Sequence, residues 1–251
     1  MRGVLPPFSR DFLDFERVTP VTEMGFGNAQ NRSMTTLTAE ATVGQIAAET
    51  PAAVRVFEKY GIDFCCGGRK GFVEVCASRG LDADAVITEI EAASVRGIAE
   101  ETDWRTAPLG ALIDHIVSRH HVYLKTNLPR IEAMIAKVMH AHGAAVPPIA
   151  KVFTDMKEEL DSHLMKEEAI LFPMIRDTNH GALGPIRVML AEHDSAGDAL
   201  VTLRRLTQDY KTPAGACNTW KALYFELSDL ERDLHRHIHL ENNILFPRAL
   251  E

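Results

Sequence analysis

The sequence predicts an all-α protein, with a small N-terminal helical domain followed by an antiparallel four-helix bundle. Three observations carry that expectation. Strand-like alternation is nearly absent. Apolar residues recur at three- and four-residue steps over most of the chain, and Gly- and Pro-rich breaks divide it into segments of helical length.

Taken in order, residues 1–37 are polar, punctuated by Gly and Pro and without period, and read as a flexible extension in which Met34 offers an alternative start. Residues 38–93 read as the small domain. Thr42 and Gln45 fit a capping box. Thr50 and Pro51 fit an N-cap and first helical position, and Gly61 ends the helix that carries Val54, Phe57 and Tyr60. Gly71 to Arg79 makes a short helix closed by Gly80, and Asp82 caps another through Ile87 and Ile90. The polar stretch 94–107, "SVRGIAEETDWRTA", reads as a linker. The bundle occupies 108–251, with helical patterns over about 108–142, 148–178, 184–210 and 214–247. Turn chemistry separates them in "HGAAVPP", "TNHGALGP" and "KTPAGA".

Composition narrows the function. With 46% hydrophobic residues the chain can build a core, and a net charge of −8 without a basic patch argues against nucleic acid or an anionic membrane as partner. No apolar run reaches the length of a membrane helix. Four cysteines, Cys65, Cys66, Cys76 and Cys217, are too sparse and irregular for a secreted disulfide scaffold, so reduced thiols in the cytoplasm are expected. Cys76 and Cys217 read as packing residues. Cys65 and Cys66 are adjacent in "IDFCCGGRKG", which suits neither a structural disulfide nor a C-x-x-C clip.

The histidines are more informative. The second bundle helix carries an inward stripe of Phe153, Met156, Leu160, His163, Glu167, Ile170 and Met174. The fourth carries Leu223, Leu227, Leu230, Leu234, His237, Glu241 and Ile244. The element H-x-x-x-E-x-x-x-L-F-P thus occurs twice, in "HLMKEEAILFP" and "HIHLENNILFP". One such pair could be a core salt bridge. Two matched pairs bring four ionisable groups to one level of the core, where each alone is costly and a cation compensates. The third helix adds His193, on a stripe with Ile186, Met189, Ala196 and Leu200. In the first, His121 shares a stripe with Val117, Leu124, Leu128 and Ile131, and His120 shares one with Ile113, Ile116 and Tyr123, so either could face in.

Four His and two Glu exceed a structural zinc site and suit two metals bridged by the carboxylates, with non-haem iron favoured over manganese or zinc. Open positions would remain for a small ligand such as O₂ or NO. His235 and His239 flank His237 and read as a solvated face, and His115, His140, His142 and His180 as surface residues. Glu159 and Glu192 adjoin the candidate ligands, either as bases orienting an imidazole or as ordinary surface glutamates.

The motifs "DFCCGG", "DWRTAPLGALIDHIVSRHH", "SHLMKEEAILFPMI", "AEHDSAGDAL" and "HIHLENNILFPRAL", in this order over about residues 40–251, resemble the repair-of-iron-centres family of the ScdA/YtfE/DnrN type. The resemblance implies a hemerythrin-like bundle with an oxo- and carboxylate-bridged pair of non-haem Fe ions. It implies ligands at His121, His163, Glu167, His193, His237 and Glu241, with His121 chosen over His120 because the family motif runs Arg, an aromatic residue (commonly Tyr), then the ligand His. The middle residue here is His120. It also implies repair of iron–sulfur clusters damaged by nitric oxide or oxidants, with damaged Fe–S proteins as clients and NO or O₂ as small ligand. Cys65 and Cys66 are then expected to act as an exposed dithiol that accepts and passes on iron or a nitrosyl group. Alternatives are an NO- or O₂-binding carrier or sensor, or an NO reductase. Nothing in the sequence names the oligomeric state, for which a homodimer is one option.

Overall fold

The computed structural model describes residues 41–96, 102–143, 146–177 and 181–251. The expected extension 1–37, the middle of the linker and His180 lie outside the described residues. Among the described residues there is no strand, only an isolated bridge between Thr42 and Gly71.

The small domain consists of α1 (Val43–Glu49), α2 (Pro51–Tyr60), α3 (Phe72–Ser78) and α4 (Ala83–Arg96). Both bonds of the capping box form, Thr42 N–H to Gln45 Oε1 at 2.9 Å and Gln45 N–H to Thr42 Oγ1 at 3.3 Å. Gly61 ends α2 at φ 63°, a left-handed conformation that needs no Cβ. Phe57, Phe64 and Phe72 meet at the centre, with ring centroids 6.1 and 6.3 Å from Phe57. The segment 62–71 between α2 and α3 carries the cysteines. It is pinned at both ends: Ile62 N–H donates to Phe57 O at its start, and Gly44 N–H donates to Gly68 O, Val43 N–H to Lys70 O and Phe72 N–H to Ala41 O at its end.

The first bundle helix is α5 (Leu109–Ile116), a π turn π1 (Val117–His121) and α6 (Val122–His142). The second is α7 (Pro147–Lys166), π2 (Glu167–Leu171) and α8 (Phe172–Arg176). The third is the uninterrupted α9 (Leu183–Leu206). The fourth is α10 (Asn218–Leu240), π3 (Glu241–Leu245) and α11 (Phe246–Ala249). α7 packs on α6 and α9, and α10 on α6.

The π turns correct the expected stripes. Each adds one residue to a turn, with N–H groups reaching five residues back: Val122 to Val117, Phe172 to Glu167 and Phe246 to Glu241. The prolines that follow, Pro173 and Pro247, have no N–H, so the regular bond pattern is already broken there. Beyond Glu167 the inward residues are Leu171, Phe172 and Ile175. Ile170, placed on the inward stripe by α-helical spacing, is 52% exposed. In the first helix both candidate stripes are real: Ile113, Ile116 and His120 are buried before the shift, and His121, Leu124, Leu128 and Ile131 after it. In α9, without a π turn, Ile186, Met189, His193, Ala196 and Leu200 all face in at ordinary spacing.

The third helix also stops earlier than its polarity suggested. Gln208, Asp209 and Tyr210 adopt φ of 50°, 59° and 56°, a left-handed turn that an α-helix cannot include. Tyr210 Oη donates to Glu231, which also accepts from Arg204 Nε at 3.0 Å and Nη2 at 2.7 Å. These bonds hold the turn against the bundle and satisfy a buried carboxylate.

The small domain and the bundle form one compact unit. The Phe64 ring lies edge-on to His235 and His239, with centroids at 6.1 and 5.4 Å. Arg236 donates to both oxygens of Glu58 at 2.7 and 2.8 Å. In the segment expected as a linker, Trp104 and Ala107 accept through their carbonyls from Arg248, at 2.6 and 2.7 Å. Phe64 is fully buried, so Phe64→Ala should lower stability by about 3–5 kcal/mol in chemical denaturation.

Candidate metal centre

The polar layer lies between two apolar clusters of the bundle. On one side are Leu124, Leu128, Leu160, Leu164, Leu234 and Ile238, and on the other Ile116, Leu171, Phe172, Met189, Leu245 and Phe246. His121, His163, Glu167, His193, His237 and Glu241 are all buried in this layer. They form two groups whose ligand-type atoms lie within 4.8 Å of one another: His121, Glu167, His237 and Glu241, and His163, Glu167, His193 and Glu241. Both carboxylates belong to both groups.

The imidazoles turn Nε2 toward the carboxylates. His121 Nε2 lies 3.3 Å and His163 Nε2 3.4 Å from Glu167 Oε2. His193 Nε2 is 3.1 Å from Glu241 Oε2, and His237 Nε2 is 3.0 Å from Glu241 Oε1. His121 Nε2, both Glu167 oxygens and Glu241 Oε2 are nevertheless buried without a hydrogen-bond partner. Orphaned donors and acceptors that converge on one point, all imidazole and carboxylate, fit a bound cation.

A second ring of side chains fixes the first. His121 Nδ1 is 2.8 Å from Glu168 Oε1, His163 Nδ1 2.9 Å from Glu192 Oε2, and His193 Nδ1 2.7 Å from Asn242 Oδ1. Donation from Nδ1–H leaves the Nε2 lone pair free to face inward. The arrangement is nearly two-fold. Glu168 and Asn242 each follow a shared carboxylate, and His120 and Glu192 each precede a candidate ligand. The symmetry breaks at His120. Glu192 bonds to His163, but the His120 ring lies parallel to that of His237, with centroids 5.4 Å apart and planes at 2°. His120 Nδ1 turns to Asp233 Oδ1 at 3.0 Å, and His237 Nδ1 has no partner.

Burial would raise the carboxyls of Glu168 and Glu192. Lys125 and His121 outweigh it at the first, Lys166 and His163 at the second, and both fall below the usual range. Burial would also raise Glu241, but His237 and His193 pull it well below that range. Burial alone would lower His163, yet Glu167 pushes it up to about 9. For His237 burial wins and its imidazole is lowered.

The cysteines are docked beside this layer and are not the exposed dithiol expected. Cys65 is buried and Cys66 partly so, with their sulfurs 3.7 Å apart. Cys66 Sγ donates to the carbonyl of His193 at 3.2 Å. Cys65 receives support from Asp63 Oδ1, at 3.0 Å from its N and 3.2 Å from its Sγ. The hydrogen bond with Cys66, together with burial, holds the Cys65 thiol well above its usual range, so it stays protonated near neutral pH.

Other histidines also depart from the sequence reading. His239 is buried, because the small domain covers the face expected to be solvated. It contacts Phe64, and Asn243 Nδ2 lies 2.8 Å from its Nδ1. His235 is half-buried against Phe64, and His115 and His142 are half-buried against Trp104 and Trp220. Cys217 is half-buried and packs against the bundle core as expected, and it also stands at the N-cap of α10, where a hydrogen bond with His142 lowers its thiol. Of the two glutamates left open, Glu192 accepts from His163, while Glu159 accepts from Ser195 Oγ at 2.8 Å. Glu168, Asn242 and Asn243 went unread, although "EE" and "ENN" stand at matching places in the repeated element.

A four-helix bundle with a layer of four imidazoles and two shared carboxylates defines a hemerythrin-like cation-binding protein. The family described as the Hemerythrin HHE cation binding domain matches residues 112–249, and ScdA_N, a domain of unknown function (DUF542), matches 39–94. Two curated relatives are each named iron–sulfur cluster repair protein YtfE. That of Citrobacter koseri is 43% identical over 212 residues, 83% of this chain and 96% of its own. That of Escherichia coli O81 is 44% identical with the same coverage. The chain belongs to the repair-of-iron-centres family of hemerythrin-like proteins.

Two measurements check the outer ring and the domain contact. Glu192→Gln should weaken metal retention by about 10–100-fold in a chelator competition, since the tautomer of His163 is no longer enforced. Burial lowers His239 to about 4 from 6.5, so the unfolded chain binds the proton more readily. Stability should therefore be intact above pH 6.5 and fall by up to about 3 kcal/mol as pH drops to about 4. His239→Gln should flatten that part of the profile.

Proposed function

We propose that this protein repairs iron–sulfur clusters damaged by nitric oxide or oxidants, using a non-haem di-iron centre and the adjacent Cys65–Cys66 pair. The observation that carries the reading is the pair of ligand groups sharing Glu167 and Glu241, with a thiol bonded to the backbone of His193. The relatives' names favour repair over a simple carrier or an NO reductase.

His121 and His237 would hold one iron and His163 and His193 the other, with Glu167 and Glu241 between them. When bound, the iron pair supplies redox-active Lewis acidity and positions for NO or O₂. The chain's own residues do the rest. Glu168, Glu192 and Asn242 orient three imidazoles. Leu234, Phe172 and Phe246 exclude bulk water from the layer. A narrow recess of about 10 Å³, bordered by Glu159, Leu160, Glu192 and Ala196, reaches His163 and His193 and admits only something the size of a water molecule. Cys66, hydrogen-bonded to the backbone of His193, and its neighbour Cys65 would be the thiols that receive a nitrosyl group or iron from the centre.

The clients are Fe–S proteins, and the cytoplasm suits the reduced thiols. Among the described residues no helix is long and apolar enough to cross a membrane.

Elemental analysis should find about two iron atoms per chain, as a two-metal carboxylate site requires, and His237→Ala should lose them. The Cys65→Ala/Cys66→Ala double variant should keep its iron but fail to restore a nitric-oxide-damaged Fe–S enzyme. Restoration at the wild-type rate would remove the thiols from the mechanism.

A further inference from the structure

The loop that carries the cysteines is fastened to the bundle by a side chain with no part in metal binding. Asn243 sits in π3, two residues beyond Glu241. Its Nδ2 donates to the Phe64 carbonyl at 2.9 Å and lies 2.8 Å from His239 Nδ1. An amide nitrogen carries two hydrogens, and these two acceptors take both, which fixes the amide's orientation. Oδ1 is thereby turned to the small domain. A Cβ on Gly44 would stand 2.5 Å from it, and one on Gly68 3.2 Å. Gly44 N–H in turn donates to Gly68 O at 2.8 Å. Asn243 therefore closes on the segment Phe64–Gly68, which brackets both cysteines, through two positions where a Cβ would crowd its amide oxygen.

The opposite side of the loop is equally close. Cys66 Sγ meets the His193 carbonyl on α9, and a Cβ on Gly197 would come 2.9 Å from that sulfur. The cysteine loop thus spans α9 and π3, the two elements that carry His193 and Glu241.

We propose that Asn243 is the positioning residue for the cysteine pair. It latches Phe64–Gly68 onto π3 so that the Cys66 sulfur is held against the backbone of His193. The inference rests on the reading of the cluster as the metal centre beside which the thiols act. Three consecutive residues of π3 then have separate tasks: Glu241 faces the centre, Asn242 holds the outer nitrogen of His193, and Asn243 holds the loop.

The test is alkylation of the full-length, metal-loaded protein by iodoacetamide, read site by site by peptide mass spectrometry. Asn243→Ala removes the latch, and Asn243→Asp keeps its shape but loses both donors. Both should raise labelling of Cys65 and Cys66 by about tenfold, the scale of one lost hydrogen bond. Labelling of buried Cys76 should not change, which a general loosening of the fold would not reproduce. Because Asn243 adjoins the ligands, Gly44→Ala tests the same latch from the small domain. Its methyl group would stand 2.5 Å from Asn243 Oδ1 and 3.0 Å from the Gly68 carbonyl, pressing on the latch and on the loop it holds without touching a ligand, and it should raise labelling likewise. If the Asn243 variants shed metal, wild type and all variants are compared metal-free, where the same contrast between Asn243→Asp and wild type is expected. Labelling within about twofold of wild type in Asn243→Asp and Gly44→Ala would overturn the proposal. So would wild-type labelling in Asn243→Asp beside fast labelling in Asn243→Ala, since the contact would then be one of shape. Labelling requires no cluster repair, so failure of the latch and failure of the repair reading are separate results.

Discussion

Two carboxylates buried among four imidazoles are the constraint on which the rest of the structure depends. Glu167 and Glu241 have no solvent contact, and three of their four oxygens have no hydrogen-bond partner. Charge placed this deep is tolerated only where other charges and dipoles are fixed around it. The fixing is done in shells. Imidazole Nε2 atoms face the carboxylates, and Glu168, Glu192 and Asn242 hold the outer nitrogens. Lys125 and Lys166 in turn hold the two outer glutamates. Apolar clusters above and below keep the layer dry, so each partner carries more weight than it would in water.

Much of this was legible in the sequence, and the exceptions share a cause. The repeat of His, Glu and Leu-Phe-Pro shows the inward faces of the second and fourth helices because periodicity up to the carboxylates is regular. His193 is legible for the same reason, on the one bundle helix with no π turn. His120 and His121 could not be separated by periodicity, because π1 moves the buried face from one stripe to the other between them. Ile170 was misplaced by π2 in the same way. A helical wheel assumes 3.6 residues per turn and has no means of seeing an added one.

The other losses come from contacts distant in sequence. His239 follows a polar pattern, yet Phe64 covers it from far along the chain. The cysteine pair read as exposed because nothing local indicates that its loop lies against α9. The near two-fold symmetry was legible, but its break was not. His120 matches Glu192 in position and differs in action, stacking on His237 and bonding to Asp233. The symmetry-related pair His163 and His237 is thus held differently, the first by a carboxylate and the second by a ring face.

The π turns have a consequence for how this chain is compared with others. A π turn is a single-residue insertion that the helix has absorbed without forming a loop. Three of the four bundle helices carry one and α9 carries none, so the frame of the bundle shifts by one residue at three separate places. An alignment to a helical protein without these insertions needs a one-residue gap inside 117–121, 167–171 and 241–245. Without those gaps, every residue beyond each turn is matched to a neighbour on the wrong face, and a chain that shares the centre would seem to lack half of its core.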